Sequence, residues 1–172
     1  MKSIVIYSSL TGNTKQVAEA ITSVLPAGTP CVSMKEVPSD LSSYDLVFAG
    51  FWVDKGTANK EARDVLGTLH NPHIALFATA GVPPQMAHAK ESLINAANCL
   101  PDGVEPVGTF ICQGKVDPKV IEMMYKMFPK GHSHGQSADR DARHKQAAVH
   151  PNEDDFKAAQ DFAQHILAKL DR

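Results

Sequence analysis

Short apolar runs alternate along the chain with segments of helical period, and the runs are unbroken rather than two-fold alternating. Ile4-Val5-Ile6-Tyr7 is the first, Cys31-Val32-Ser33-Met34 a weaker second, and Leu46 to Val53 the third. Ile74 to Ala78 is the fourth and Val107 to Cys112 the fifth. An unbroken run implies a strand covered on both faces, so these five predict a parallel sheet between two layers of helices. The segments between them carry apolar stripes. Val17, Ala20, Ile21, Val24 and Leu25 form one, closed by Pro26 and Gly28. Ala58, Ala62, Val65, Leu66 and Leu69 form a second, and a third helix is expected from about Gln85 to Asn98. Asp117-Pro118 is a helix start, an acid at the N-cap followed by proline, leading into Val120, Ile121, Met124 and Phe128. The last helix, from about Asn152 to Leu170, buries Phe156, Ala159, Phe162, Ala163, Ile166, Leu167 and Leu170. Glu153, Asp154 and Asp155 suit its positive end. Residues 129–150 show no period and are rich in Gly, His, Ser and charge, which predicts an exposed loop.

Together these elements predict an α/β fold, a doubly wound five-stranded parallel sheet of order 2-1-3-4-5 with helices on both faces. Residues 1–172 are read as one domain, with an extra helix and an exposed basic, His-rich loop at about 115–150. In such sheets ligands sit beyond the carboxyl ends of the strands, at the switch point beside strand 1. Ligand chemistry is therefore expected after strands 1, 3 and 4.

Composition removes several function classes. No apolar run approaches the ~18 residues of a membrane span, and the opening MKSIVIYSS enters a strand directly, with no secretory segment. Cys31, Cys99 and Cys112 are widely spaced and form no CxxC pair, so disulfides and cysteine-held clusters are not expected. The cytoplasm is the expected compartment. A net charge of −2 does not predict a nucleic-acid or DNA partner. The charge is uneven, however. Residues 115–150 hold 7 basic and 4 acidic side chains, against 7 and 10 in residues 1–114.

Three loops carry the candidate chemistry. After strand 1, Ser8-Ser9-Leu10-Thr11-Gly12-Asn13-Thr14 runs into a helix. Unpaired backbone N–H groups at that helix start, short hydroxyls and Gly12 make a neutral cradle for one phosphate. GxxxxGK[ST], GxGxxG, a cysteine–arginine loop and a post-strand acidic cluster are all missing, which excludes nucleotide-hydrolase, dinucleotide, phosphatase and receiver readings. After strand 3 comes Gly50-Phe51-Trp52-Val53-Asp54-Lys55-Gly56-Thr57, with the only tryptophan of the chain. After strand 4 comes Ala78-Thr79-Ala80-Gly81-Val82-Pro83-Pro84, where Gly81 permits close approach and two prolines stiffen the exit.

The segment YSSLTGNT resembles the phosphate-binding loop of flavodoxins, Thr/Ser-x-Thr-Gly-x-Thr after the first strand. The resemblance covers the five strands and the final helix, and implies non-covalently bound FMN. It implies that Ser9, Leu10, Thr11, Gly12, Asn13 and Thr14 hold the FMN phosphate. Phe51, Trp52, Val53, Asp54, Lys55 and Gly56 would flank the flavin ring, and Thr79, Ala80 and Gly81 would meet its pyrimidine edge. Two departures stand out. Flavodoxins usually read aromatic-or-Met, Gly, Asp in the second loop, with a glycine that lets a peptide flip toward the flavin N5. Val53 stands there instead, and β-branched valine resists positive φ, so weak stabilisation of the half-reduced flavin is expected. No second aromatic appears in the third loop. The block GFWVDKGTANKEARDV is similar to a bacterial flavodoxin-like subgroup, some members of which are associated with bilirubin reduction.

The function implied is electron transfer between a reductase and a partner enzyme, with redox proteins as partners. Two alternatives are carried: an FMN-dependent NAD(P)H:quinone-type oxidoreductase, and a flavin-free binding domain. No catalytic side chain and no metal site is expected. His132, His134, His144 and His150 fit no common metal spacing. Cys112 is expected as a buried strand residue rather than a thiol activated by Lys115.

Overall fold

The computed structural model describes residues 1–172. Five parallel strands form the sheet: β1 (Ser3–Tyr7), β2 (Cys31–Ser33), β3 (Leu46–Asp54), β5 (His73–Ala80) and β6 (Gly108–Gln113), in the order β2-β1-β3-β5-β6. A sixth strand, β4 (Thr57–Ala58), is a two-residue antiparallel partner folded back on the end of β3. Set aside, β4 leaves the 2-1-3-4-5 order that the apolar runs predict. The helices are α1 (Asn13–Thr22), α2 (Lys60–Leu66), α3 (Ala87–Ala97), α4 (Pro118–Met127), α5 (Ala138–Ala147) and α6 (Glu153–Leu170).

Alternation along each strand divides the core in two. Ile4, Ile6, Val47, Ala49, Phe51, Leu76 and Ala78 meet Ala62 and Leu66 of α2 and Ala96 of α3. Val5, Phe48, Ala75, Phe77 and Cys112 meet Val17, Ala18 and Ile21 of α1, and Ala159, Ala163 and Ile166 of α6. Gly50 lies on this second face, and a Cβ there would sit 2.1 Å from the Phe77 ring. The glycine lets a phenylalanine from the neighbouring strand lie across β3. α6 enters through a capping box, with Asn152 accepting from the Asp155 N–H while Asp155 accepts from the Asn152 N–H.

Residues 129–150 depart from the loop expectation, because α5 occupies 138–147. Ser137 caps it by accepting from the Arg140 N–H, Asp139 and Asp141 sit in its first turn, and His144 and Lys145 in its last. Only Ala147 of this helix is buried, so it has no apolar stripe for a periodicity argument to find. α4 begins where Asp117-Pro118 predicts, with Asp117 Oδ1 accepting from the Lys119 N–H at 2.8 Å. No residue of α4 is buried, and Val120, Met123 and Met127 are exposed on it. The two helices leave the sheet at Lys115 and return at His150, whose carbonyl accepts from the Lys115 N–H at 2.8 Å. No helix is long and apolar enough to cross a membrane.

Candidate functional site

At the carboxyl edge of the sheet the ends of β1, β3, β5 and β6 enclose a cleft of about 250 Å3. Ser9, Leu10, Thr11, Asn13 and Thr14 line one end, Trp52, Val53, Asp54 and Lys55 one side, and Thr79, Ala80 and Gly81 the base. Gly114, Lys115, Val116, Asp117 and Val120 line the remaining side.

The end of the cleft at the β1–α1 loop is built from the start of α1. Gly12, at φ 96°, is the N-cap, a left-handed position that suits glycine. Its N–H donates to Ser9 Oγ at 3.1 Å. The N–H groups of Leu10, Thr11, Asn13, Thr14 and Lys15 have no acceptor within the protein. They sit at the positive end of α1, and residues 9–14 include no carboxylate. The two side chains deepest in this loop serve the framework. Asn13 Nδ2 donates to the Lys115 carbonyl at 2.9 Å, and Thr14 Oγ1 shares a 2.9 Å hydrogen bond with Thr79 Oγ1. Gly114 makes room for the first of these, since a Cβ there would stand 2.8 Å from Asn13 Nδ2.

The second loop is a β-hairpin. Val53 pairs with Ala58 and Asp54 with Thr57, around a two-residue turn in which Lys55 (φ 50°) and Gly56 (φ 78°) are both left-handed. Val53 therefore keeps extended backbone, and the positive φ falls on Lys55, the only non-glycine residue of the chain to carry it. Trp52 is half-buried on the α1 side of the sheet. Its carbonyl accepts from the Asn59 N–H at 3.1 Å. Asn59 Nδ2 in turn donates to Ser8 Oγ at 2.8 Å, and the Ser8 hydroxyl donates to Glu61. This buried row couples the first loop to the hairpin from behind. Asn59 Oδ1 is left there without a partner.

Three residues expected at the site stand outside the lining. Phe51 is fully buried under α2 and α3, because strand alternation turns it away from the face that Trp52 shares with α1. Gly12 and Gly56 shape their turns without lining the cleft. Conversely, the segment from Gly114 to Val120 lines it unexpectedly. The switch-point argument points only to the loops nearest β1, and β6 is the far edge strand. Gly114 followed by the Asp117-Pro118 helix start was the available signal.

Electrostatically the cleft is mixed, with Lys55 and Lys115 against Asp54 and Asp117. Cys112 lies below it, and burial, then the charge of Asp155, pushes its thiol up to about 12. It is no nucleophile at neutral pH. The structure contains no cluster of three or more His, Cys, Asp or Glu arranged for a metal ion.

Residues 4–164 match the model of the flavodoxin domain. The flavodoxin-like domain-containing protein BilS of Clostridioides difficile is 35% identical over 98% of this chain and 98% of its own length. BilS of Clostridium symbiosum is also 35% identical, over 94% of each chain. Among solved structures, a flavodoxin from the domain Archaea superposes over the full length of both chains with a TM-score of 0.53 at 15% identity. A flavoprotein in complex with FMN from Lactobacillus acidophilus superposes with a TM-score of 0.50 at 19% identity, over 64% of this chain and 93% of its own. With the domain model spanning nearly the whole sequence and full-length relatives at this identity, the protein belongs to the flavodoxin family.

Proposed function

We propose that the cleft binds one FMN and that the protein carries electrons between a reductase and an acceptor enzyme. The carrying observation is that Leu10, Thr11, Asn13 and Thr14, whose N–H groups have no acceptor within the protein, line the same cleft as Trp52, in a loop that carries no acidic residue of its own. A phosphate dianion fits that end, since it accepts from several amides and meets the positive end of α1. Membership of the flavodoxin family supports FMN as its bearer.

The chain's own part is to bind and orient. Leu10, Thr11, Asn13, Thr14 and Lys15 offer amides to the phosphate, and the exposed Thr11 offers a hydroxyl. The Asn13–Lys115 and Thr14–Thr79 hydrogen bonds hold that loop at a fixed distance from the ring side of the cleft. The Trp52 indole offers a flat apolar face, and its electron-rich π system disfavours added negative charge beside it. Asp54 and Asp117 act in the same direction, and Lys55 and Lys115 oppose them. Bound FMN supplies the one- and two-electron chemistry. Transient redox partners need only a small docking area beside the ring edge, and the basic 115–150 segment suits an acidic one.

Purified protein titrated with FMN and with riboflavin tests the cofactor reading. Wild-type protein binds FMN more tightly than riboflavin, and Thr11→Asp, which sets a carboxylate in the exposed cradle, removes that preference. Equal affinity for the two flavins in wild type would sink the proposal. For the function, Lys115→Glu with Lys130→Glu slows reduction of the acceptor in a salt-dependent way. Rapid bleaching of the bound flavin by NAD(P)H, followed by quinone turnover, would replace the carrier reading with an oxidoreductase.

A further inference from the structure

We infer that the second wall of the ring slot is aliphatic and is supplied by Val116 and Val120 at the start of α4. This rests on the FMN reading above.

Trp52 is the only aromatic residue lining the cleft. A planar ring leaning on it presents its other face to whatever stands across the slot. Sheet order decides what that is. β5 lies between β3 and β6, so the hairpin carrying Trp52 and the segment leaving β6 stand on opposite sides of Thr79–Gly81. Val116 packs directly against that base, since a Cβ on Gly81 would lie 2.7 Å from its Cγ2. Its backbone is anchored just upstream, where the Lys115 N–H donates to His150 and the Lys115 carbonyl accepts from Asn13. Asp117 then caps α4, which fixes the direction in which the helix departs.

Val120 is one turn along. It lines the cleft yet is 37% exposed. Val120, Met123 and Met127 are the exposed apolar residues of α4, whereas Ile121, Met124, Tyr125 and Phe128 are half-buried and Tyr125 reaches α5. A branched aliphatic side chain that borders a slot and stays partly exposed is placed to cover a flat apolar ligand. On this account the helix after β6 completes the flavin site, in place of an aromatic from the β5 loop.

The experiment compares wild type, Val120→Asp, Val120→Ala and Met127→Asp, using FMN itself as the probe. Affinity is read from quenching of flavin fluorescence, and hydrogen exchange follows the amides of residues 118–127 with and without FMN. Losing one buried valine contact against the ring predicts about tenfold weaker binding for Val120→Asp and a smaller loss for Val120→Ala. Met127→Asp puts the same charge two turns from the cleft and leaves affinity unchanged. FMN also slows exchange of the α4 amides in wild type but not in Val120→Asp. Circular dichroism of the variants stays that of wild type, because α4 contributes nothing to the core. Unchanged affinity in Val120→Asp, or equal losses in Val120→Asp and Met127→Asp, would overturn the inference. Wild-type protein that fails to quench FMN would overturn the cofactor reading first, and this wall with it.

Discussion

The side-chain oxygens of Thr14 and Thr79 lie 2.9 Å apart, with both residues almost fully buried, and join the first turn of α1 to the end of β5. The bond crosses from the β1–α1 end of the cleft to its base. Thr79→Val keeps the shape but strands the Thr14 hydroxyl, so it destabilises by about 1–3 kcal/mol. Thr14→Val with Thr79→Val removes both polar groups and recovers most of that loss. Urea unfolding of the two variants checks the order, and a double variant less stable than the single one would contradict it.

Gly81 and Val116 make a second coupled pair. Gly81→Ala drives a methyl to 2.7 Å from Val116 Cγ2 and weakens FMN binding by pushing the β6–α4 segment outward. Adding Val116→Ala relieves the contact and restores the stability lost by Gly81→Ala. Thermal melts of the three variants measure the coupling.

Lys55 carries φ 50° in the hairpin turn, a conformation unfavourable for any side chain with a Cβ. Lys55→Gly removes the strain and stabilises the fold by up to about 1 kcal/mol, offset in part by glycine's greater freedom when unfolded. The reverse change beside it, Gly56→Ala, destabilises by about 1 kcal/mol. Denaturation midpoints of the two variants should move in opposite directions.

Acid should loosen α4 and α5 before the sheet. The Tyr125 hydroxyl donates to Asp141 Oδ1 at 2.9 Å and lies 3.1 Å from His144 Nδ1, joining the two helices. Hydrogen bonds from Gln136 and then Tyr125 hold Asp141 below the usual carboxylate range. Burial, then Arg140, holds His144 below the usual histidine value, with Arg143 adding to it and Asp141 opposing. Both groups are depressed in the folded state, so each favours folding above its unfolded value and loses that contribution as pH falls. The His144 part fades below about pH 6.5 and the Asp141 part below about pH 4. Protection factors of the amides in residues 138–147, corrected for the slowing of intrinsic exchange in acid, should fall from pH 7 to pH 4 while those of β3 and β5 do not.

Cys112, with its thiol held at about 12, should resist alkylation at pH 8 in the folded protein and react once urea exposes it. Peptide mapping after iodoacetamide treatment separates it from Cys31 and Cys99.

The sheet was legible because its central strands β1, β3 and β5 are buried on both faces and so are written as unbroken apolar runs, while the edge strand β2, only half-buried, gave the weaker run. Trp52 was legible for a different reason, as an isolated aromatic at a strand end beside Asp54 and Gly56. Phe51 misled because adjacent strand residues point to opposite faces, and the run Gly50-Phe51-Trp52 has no polar position to reveal which of the two turns inward. α5 was invisible to periodicity because it buries a single alanine. Its caps and charge order were present, but they act on a helix with no stripe. The Gly114–Val120 wall was missed because its residues owe their place to the closure at Lys115 and His150, a contact between positions far apart in the chain.

That closure has an evolutionary consequence. The excursion from Val116 to Val149 leaves and rejoins the body at one point, so its two ends are neighbours, and it adds no residue to either core cluster. Such a segment can be shortened, lengthened or exchanged for another without rebuilding the loop between Ser9 and Thr14. A lineage could thereby remodel one wall of the chamber, and the surface around it, while inheriting the rest unchanged.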